Sequence, residues 1–343
     1  MKQLKEKGKE KGKKLADRIR HPRQSGQEQQ AESSQAPPQN PEITGPLVDK
    51  GDSSGLPPGG SQIPQNLHFF WKGESPGRDD REWPHLQQWG NMGEKSAGWN
   101  KTLWTDRSSH DEWQTSHPDK LNKLENMNVN VKPVEEQIDK RNKHVYDYAV
   151  NHDARTMASD VARYSVLKNH GGIYADLDIA PGNLSLPNSA NQEGREMLSS
   201  GRLPLFGPKV RDSKSVETAT PNSTAPFEER LKETVDKKYT HGDFGNQLIA
   251  AEPNNPTINL AIDKISKLKE GEQYNDLQPD KEHLDKQAPL MTGPSVAMDA
   301  MQEQMKVKYP QGRVPQATEH MNPNLKDHLI SNIDLLTDAS KRD

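Results

Sequence analysis

Two aspartates one residue apart, Asp176 and Asp178, close the segment 173–179, IYADLDI. Read as a strand, whose side chains alternate between faces, it puts Ala175, Leu177 and Ile179 on one apolar face. Tyr174, Asp176 and Asp178 then share the other face. The two carboxylates stand side by side at a C-terminal strand end, just ahead of Pro181-Gly182. Open α/β sheets gather their ligand sites at such ends. Like charges at that spacing repel unless a cation lies between them. A hard divalent ion, Mg²⁺ or Mn²⁺, takes oxygen ligands. There it would clamp a diphosphate and stabilise it as a leaving group.

An Asp-x-Asp pair says little by itself. With 50 acids in 343 residues, about seven acid-x-acid pairs arise by chance. The context adds the meaning. Met157, Val161, Tyr164 and Lys168 recur at helical spacing, as do Ala158, Ala162 and Val166. Asp153 is placed to cap a helix beginning near Ala154, since an aspartate oxygen accepts from the first free N–H groups. Gly171-Gly172 ends it, because glycine accepts the left-handed backbone of a C-cap. An EF-hand fails: counted from Asp176, Ala180 and Pro187 fall where oxygen ligands are required. An aspartyl-phosphate phosphatase also uses Asp-x-Asp at a strand end, with Asp176 as nucleophile, but would carry the motif near the start of its domain.

Elements must hold this pair in place. Residues 66–71, NLHFFW, read as a buried strand closed by Gly73 and Pro76. His68 within it reads as a hydrogen-bonded core histidine. Residues 101–105 and 129–134 read as further strands, and residues 118–126 and 135–150 as helices. Alternation of this kind predicts an α/β sheet. Farther on, residues 188–223 read as a surface excursion and 241–256 as a compact Gly/Asn/Pro-rich segment, with helices over 257–269 and 295–306.

The run Asp160-Val-Ala-Arg163-Tyr followed by Gly171-Gly-Ile-Tyr-Ala-Asp-Leu-Asp178 resembles the sugar-binding DXD region of a glycosyltransferase group. That group includes fungal mannosyltransferases and the glucosyltransferase domains of large clostridial toxins. Residues 63–71, IPQNLHFFW, resemble the group's first strand, and Trp104-Thr-Asp its second. Residues 246–256 and the block Thr292-Gly-Pro294 resemble later ones. The resemblance implies an α/β domain of GT-A type over 61–343, with helical additions, a UDP- or GDP-sugar donor and Mn²⁺ or Mg²⁺. The donor expected from it is UDP-glucose or UDP-N-acetylglucosamine, and because the toxin branch retains anomeric configuration a retaining transfer is expected. Carried over residue by residue, Asp178 is the direct metal ligand, and Asp176 binds the metal and the sugar or ribose. Asp160 and Arg163 hold the donor sugar, Trp71 stacks on the base and Tyr174 contacts the donor. Phe70, Ser159 and Asn246 fall beside these positions in the same donor site. The toxin branch also has a C-terminal tryptophan lid and further metal ligands. Here the last tryptophan is Trp113, and Glu319, His320 and Asn322 form the polar cluster in that region.

Composition bounds the rest. The absence of cysteine excludes disulfides and thiolate chemistry. Charge is nearly balanced, 46 basic against 50 acidic residues, unlike a nucleic-acid-binding domain. No run approaches the ~18 apolar residues of a membrane span, and the basic start lacks the apolar stretch of a signal peptide. Only 30% of residues are hydrophobic, which predicts that part of the chain is unpacked. Residues 1–60 read as that part, a disordered tail that is first basic and then rich in Gln, Ser, Pro and Gly. Its first 23 residues carry seven Lys and three Arg against three acids, suited to contact with an anionic membrane surface or to secretion. A secreted effector that glycosylates a host protein in the host cytoplasm follows as the expectation, acting as a monomer. A bacterial cytoplasmic enzyme of surface-polysaccharide synthesis, and a sugar-nucleotide binding module without turnover, are the alternatives.

Overall fold

The computed structural model describes residues 60–210, 213–268, 281–306 and 315–335. The expected tail lies, up to residue 59, outside the described residues. The rest is built around one six-stranded sheet in the order β3-β2-β1-β4-β6-β5. Its strands are β1 (Asn66–Phe70), β2 (Asn100–Thr105), β3 (Val129–Pro133), β4 (Gly172–Ala175), β5 (Leu205–Pro208) and β6 (Phe244–Ala251). β1 to β4 run parallel, and β6 runs antiparallel to both β4 and β5. The α/β class is the one the sequence predicts.

The parallel half follows its sequence closely. In β1, Leu67, Phe69 and Phe70 are all buried, because helices cover both faces of a parallel sheet. His68 is buried with them. Its Nε2 faces the Gly171 carbonyl at 2.9 Å, and its Nδ1 accepts from the Trp104 indole at 3.2 Å. Nε2 must donate to the carbonyl and Nδ1 must accept from the indole N–H, so the imidazole is neutral. Burial lowers its pKa to about 3, against the Gly171 hydrogen bond.

The helix Arg155–His170 feeds β4 through two glycines. Gly171 and Gly172 have φ of 59° and 104°. A Cβ on Gly172 would lie 2.2 Å from the Asn66 carbonyl oxygen, so only glycine lets β4 dock against β1. The start of this helix differs from the expectation. Ala154 is the N-cap and no side chain caps it. Asp153 takes a left-handed φ of 53° and turns its carboxylate to Lys72 and Arg155 instead.

Two further expectations are corrected, and a segment left without an element gains one. The helix expected over 135–150 covers only Lys143–Asn151. Tight turns precede it (Gln137 N–H to Val134, Asn142 N–H to Asp139), while the Asp139 carboxylate binds Arg141 and Lys168. The excursion over 188–223 contains β5, whose Leu205 and Phe206 are core residues, along with Leu198, Leu203 and Val216. The segment 241–256 contains β6, the longest strand, paired on both sides.

The helix Glu82–Gly90 was not read from sequence, yet it sets the position of the Asp-x-Asp turn. His85 Nδ1 donates to the Leu177 carbonyl at 2.8 Å, and the Trp89 indole to the Ile179 carbonyl at 2.8 Å. Trp89 also packs on Phe69. The buried ammonium of Lys101 donates to the Gly90 carbonyl at 2.7 Å, satisfying the negative end of the helix dipole.

Candidate active site

β4 ends at Ala175, one residue before the first aspartate. The Asp176 N–H still pairs with the Gln247 carbonyl at 2.8 Å, and then the chain turns, Ile179 N–H to Asp176 at 3.1 Å. Strand alternation therefore holds for Tyr174 and Asp176 but not for Asp178, whose direction is set by the turn. Asp178 is exposed, whereas Leu177 and Ile179 are buried. Ala180 pairs with Asp334 in a short antiparallel bridge, so the C-terminal segment braces the turn from outside.

The helix Arg155–His170 presents Ser159, Asp160, Arg163 and Tyr164 toward the ends of β4 and β6. The Arg163 guanidinium is buried and lies at the centre. Its Nη2 is 3.0 Å from Asp176 Oδ1, 3.3 Å from Asp160 Oδ1 and 2.8 Å from Ser159 Oγ. Its Nη1 donates to the Asn246 carbonyl and, at 3.3 Å, to Asp176 Oδ2. The guanidinium also sits 4.7 Å from the Tyr174 ring centroid. Burial works against its charge, but the carboxylates of Asp176 and Asp160 outweigh it and raise its pKa further.

Asp160 is held on both oxygens. Asn246 Nδ2 donates to Oδ1 at 2.8 Å, and Thr292 Oγ1 to Oδ2 at 2.9 Å. The Tyr174 hydroxyl donates to Asp176 Oδ1 at 2.9 Å. Asp176 keeps 27% of its side chain exposed. Burial pushes its pKa up to about 6, against the pull of Arg163 and with a further push from Asp178.

These residues floor a cavity of about 550 Å³, within the range that holds a nucleotide-sized ligand. Phe70 and Trp71 form one side. Trp71 is half-buried, its indole N–H donating to the Ser75 carbonyl at 2.9 Å, with the Arg78 guanidinium 5.8 Å from its ring. Of the nine residues assigned to the donor and metal site from the sequence, eight line this cavity: Phe70, Trp71, Ser159, Asp160, Arg163, Asp176, Asp178 and Asn246. Tyr174 is fully buried behind Asp176 and Ser159 and does not line it.

The cavity also takes in residues the sequence reading passed over. Lys72, Arg155, Lys209 and Leu335 line it. Lys72 follows Trp71 and Arg155 opens the helix, so both carried a positional signal; Leu335 carried none. Glu319, His320 and Asn322 lie elsewhere, along a separate surface pocket. Asn322 caps the helix Pro323–Asn332 and binds the carbonyls of Glu196 and Met197.

The donor set fits a hard divalent ion. Asp176 and Asp178 are both carboxylates, both reach the cavity, and their mutual repulsion is one a cation would relieve. Among the described residues no third His, Cys, Asp or Glu joins them. Such an ion would complete its shell with phosphate oxygens and water, as Mg²⁺-type sites commonly do.

Residues 92–194 match the family model described as the glycosyltransferase sugar-binding region containing a DXD motif. The matched span holds Asp160, Arg163, Asp176 and Asp178, and the resemblance read from the sequence is shown for it. The sheet with its antiparallel β6, and the DXD turn at the end of β4, form the α/β domain expected. Over residues 92–194 the chain is therefore similar to a glycosyltransferase sugar-binding region. Among solved structures it is similar to the PaToxG glycosyltransferase, at 18% identity and a TM-score of 0.48 over 84% of each chain. It is also similar to the catalytic domain of alpha-toxin from Clostridium novyi, at 14% identity and a TM-score of 0.40 over 81% of this chain and 79% of that one. The UDP-bound glycosyltransferase domain from the YGT toxin follows at 13% identity and 0.33, over 79% and 77%. No curated protein matches the chain.

Proposed function

We propose that this protein is a metal-dependent, retaining glycosyltransferase that moves a hexosyl or N-acetylhexosaminyl group from a UDP-sugar to a protein side chain. The observation that carries the reading is the buried Asp160–Arg163–Asp176 cluster flooring a cavity with Trp71 on its side and Asp178 exposed beside it. Asp178 and Asp176 would hold Mn²⁺ or Mg²⁺. Held there, such an ion would supply positive charge to a departing diphosphate.

The other roles belong to the chain's own residues. Trp71 offers an aromatic face to the base, with Phe70 packed beside it. Asp160 and Arg163 offer an acceptor and a fixed fork of donors to sugar hydroxyls, and burial keeps both immobile. Asn246 and Ser159 orient these two, and Tyr174 orients Asp176 from behind. Preorganised polar groups of this kind stabilise developing charge without reorganising. The toxin-like block, together with a polar cysteine-free chain, is why we look for the acceptor among host cytoplasmic proteins.

The test is donor turnover. The purified full chain, with Mn²⁺ or with chelator, is offered a panel of UDP- and GDP-sugars, and released nucleoside diphosphate is measured. Metal-dependent release from a UDP-sugar, abolished in Asp178→Ala, is the expected result. Binding of a donor without release, even with a host lysate as acceptor source, would favour a binding module. No binding of any nucleotide sugar would falsify the donor-site assignment.

A further inference from the structure

The block Thr292-Gly-Pro294 has no part in the roles above, yet it touches the centre of the site. It is the corner between the helices Lys281–Met291 and Pro294–Gln304. Thr292 is fully buried, and its hydroxyl lies 2.9 Å from Asp160 Oδ2, across 132 residues of sequence. The same hydroxyl lies 3.2 Å from the Ala288 carbonyl. A hydroxyl has one proton to give, and a carboxylate is the stronger acceptor, so the proton goes to Asp160.

The two residues that follow make this approach feasible. A Cβ on Gly293 would lie 2.9 Å from Pro289 Cα and 3.1 Å from Asp160 Oδ2, so no side chain fits there. The Gly293 carbonyl accepts from the Tyr164 hydroxyl at 3.3 Å, a second tie to the same helix. Pro294 opens the next helix at a position where its missing N–H costs nothing.

We propose that Thr292 is a positioning residue for donor-sugar recognition: with Asn246 on the other oxygen, it fixes the plane of the Asp160 carboxylate. Asn246 and Arg163 hold Oδ1 while Thr292 holds Oδ2, so the two oxygens are fixed from separate segments. This role rests on the donor-site reading above. It predicts that Thr292 matters to the sugar and not to the nucleotide.

The experiment compares Thr292→Val, which keeps the shape and loses the donor, with Thr292→Ser, which keeps the donor. Donor turnover is measured with Mn²⁺, and UDP affinity is measured separately by calorimetry. We expect Thr292→Val to lose tenfold or more in kcat/KM for the nucleotide sugar while its UDP affinity stays within twofold. Thr292→Ser should stay within about threefold of the parent on the charge-assisted bond it retains. A Thr292→Val protein with parental turnover would overturn the role, as would a parallel loss of UDP affinity, which marks a structural defect. Should Thr292→Val fail to fold, Thr292→Ser decides: a tenfold loss there overturns the role. Silence of the parent toward every donor would instead overturn the donor-site reading and this role with it.

Discussion

The helix Arg155–His170 carries two arginine–aspartate pairings eight residues apart, and they have opposite settings. At its first turn Arg155 meets Asp153 at 3.1 Å, with both side chains about 40% exposed (43% and 41%). Near its middle Arg163 meets Asp160 and Asp176 at 3.3 and 3.0 Å, with Arg163 and Asp160 each 4% exposed. Distance does not separate the two; solvent does. Water screens the first pair and would replace either partner cheaply. In the second, Arg163 and Asp160 have lost their water and depend on their neighbours, while Asp176 keeps 27% of its side chain exposed toward the cavity. The site thus has a buried ionic floor under a mouth whose charges are solvated, an arrangement that fits the donor pocket proposed above.

The sharpest way to break this contrast is Arg163→Leu. Removing one partner of a buried ionic group costs roughly 3–5 kcal/mol, because the remaining charge is left uncompensated. Here two carboxylates would be left, so we expect a loss of that order in chemical denaturation. Part would be recovered at low pH, where Asp176 becomes protonated. A loss below about 1 kcal/mol would mean that the floor is as plastic as the mouth. Next comes Trp71→Ala, at the mouth. A base stacked on an aromatic ring contributes about 1–3 kcal/mol, so donor affinity should fall about 5- to 150-fold. Stability should change little, since the indole is only half-buried. A fall in stability equal to that of Arg163→Leu would show Trp71 to be core.

A third prediction tests burial under the sheet. His68 is neutral in the fold, with a pKa lowered to about 3, against about 6.5 when unfolded. The unfolded chain therefore binds the extra proton first, and stability falls as pH drops below 6.5 and goes on falling until about 3. At pH 5.5 this group alone removes about 1.4 kcal/mol relative to pH 8. His68→Gln should flatten that part of the stability–pH curve; an unchanged slope would assign the acid sensitivity to other groups.

Much of the floor was legible in the sequence, and much of the mouth was not, for a physical reason. Asp160, Arg163, Asp176 and Asp178 lie within nineteen residues, on one helix and the turn after one strand. Local periodicity and a glycine pair are enough to place them together. The strand reading overreached at Asp178, where a turn set by His85 and Trp89 replaces the alternation. Both tethers come from a helix ninety residues earlier, which no local pattern reports. The antiparallel strands failed for a related reason. β6 reads FGNQLIAA, with Gly245 and Asn246 near its start, a composition that signals a turn. Its strand character comes from pairing with β4 and β5 on either side. Thr292 and Leu335 reach the cavity neighbourhood only through tertiary packing.

The smallest expected effect is the other half of the opening contrast. Arg155→Ala removes an exposed partner from Asp153, which keeps Lys72 at 3.3 Å. Exposed pairs contribute about 0–1 kcal/mol, so the stability change should stay below about 1 kcal/mol and shrink further in salt. Asp153 adds one complication. Its left-handed φ of 53° is unfavourable for a residue other than glycine, and its two cations are what the carboxylate gains by turning outward. If Arg155 were the main support of that conformation, its removal would let the turn relax, and the first turn of the helix would fray. Hydrogen exchange at residues 155–158 separates the two cases. Unchanged protection in Arg155→Ala means that Lys72 suffices and the mouth is loosely coupled to the floor. Faster exchange there would make the rim pair a structural latch for the helix that carries Asp160 and Arg163, and the line drawn between floor and mouth would have to move.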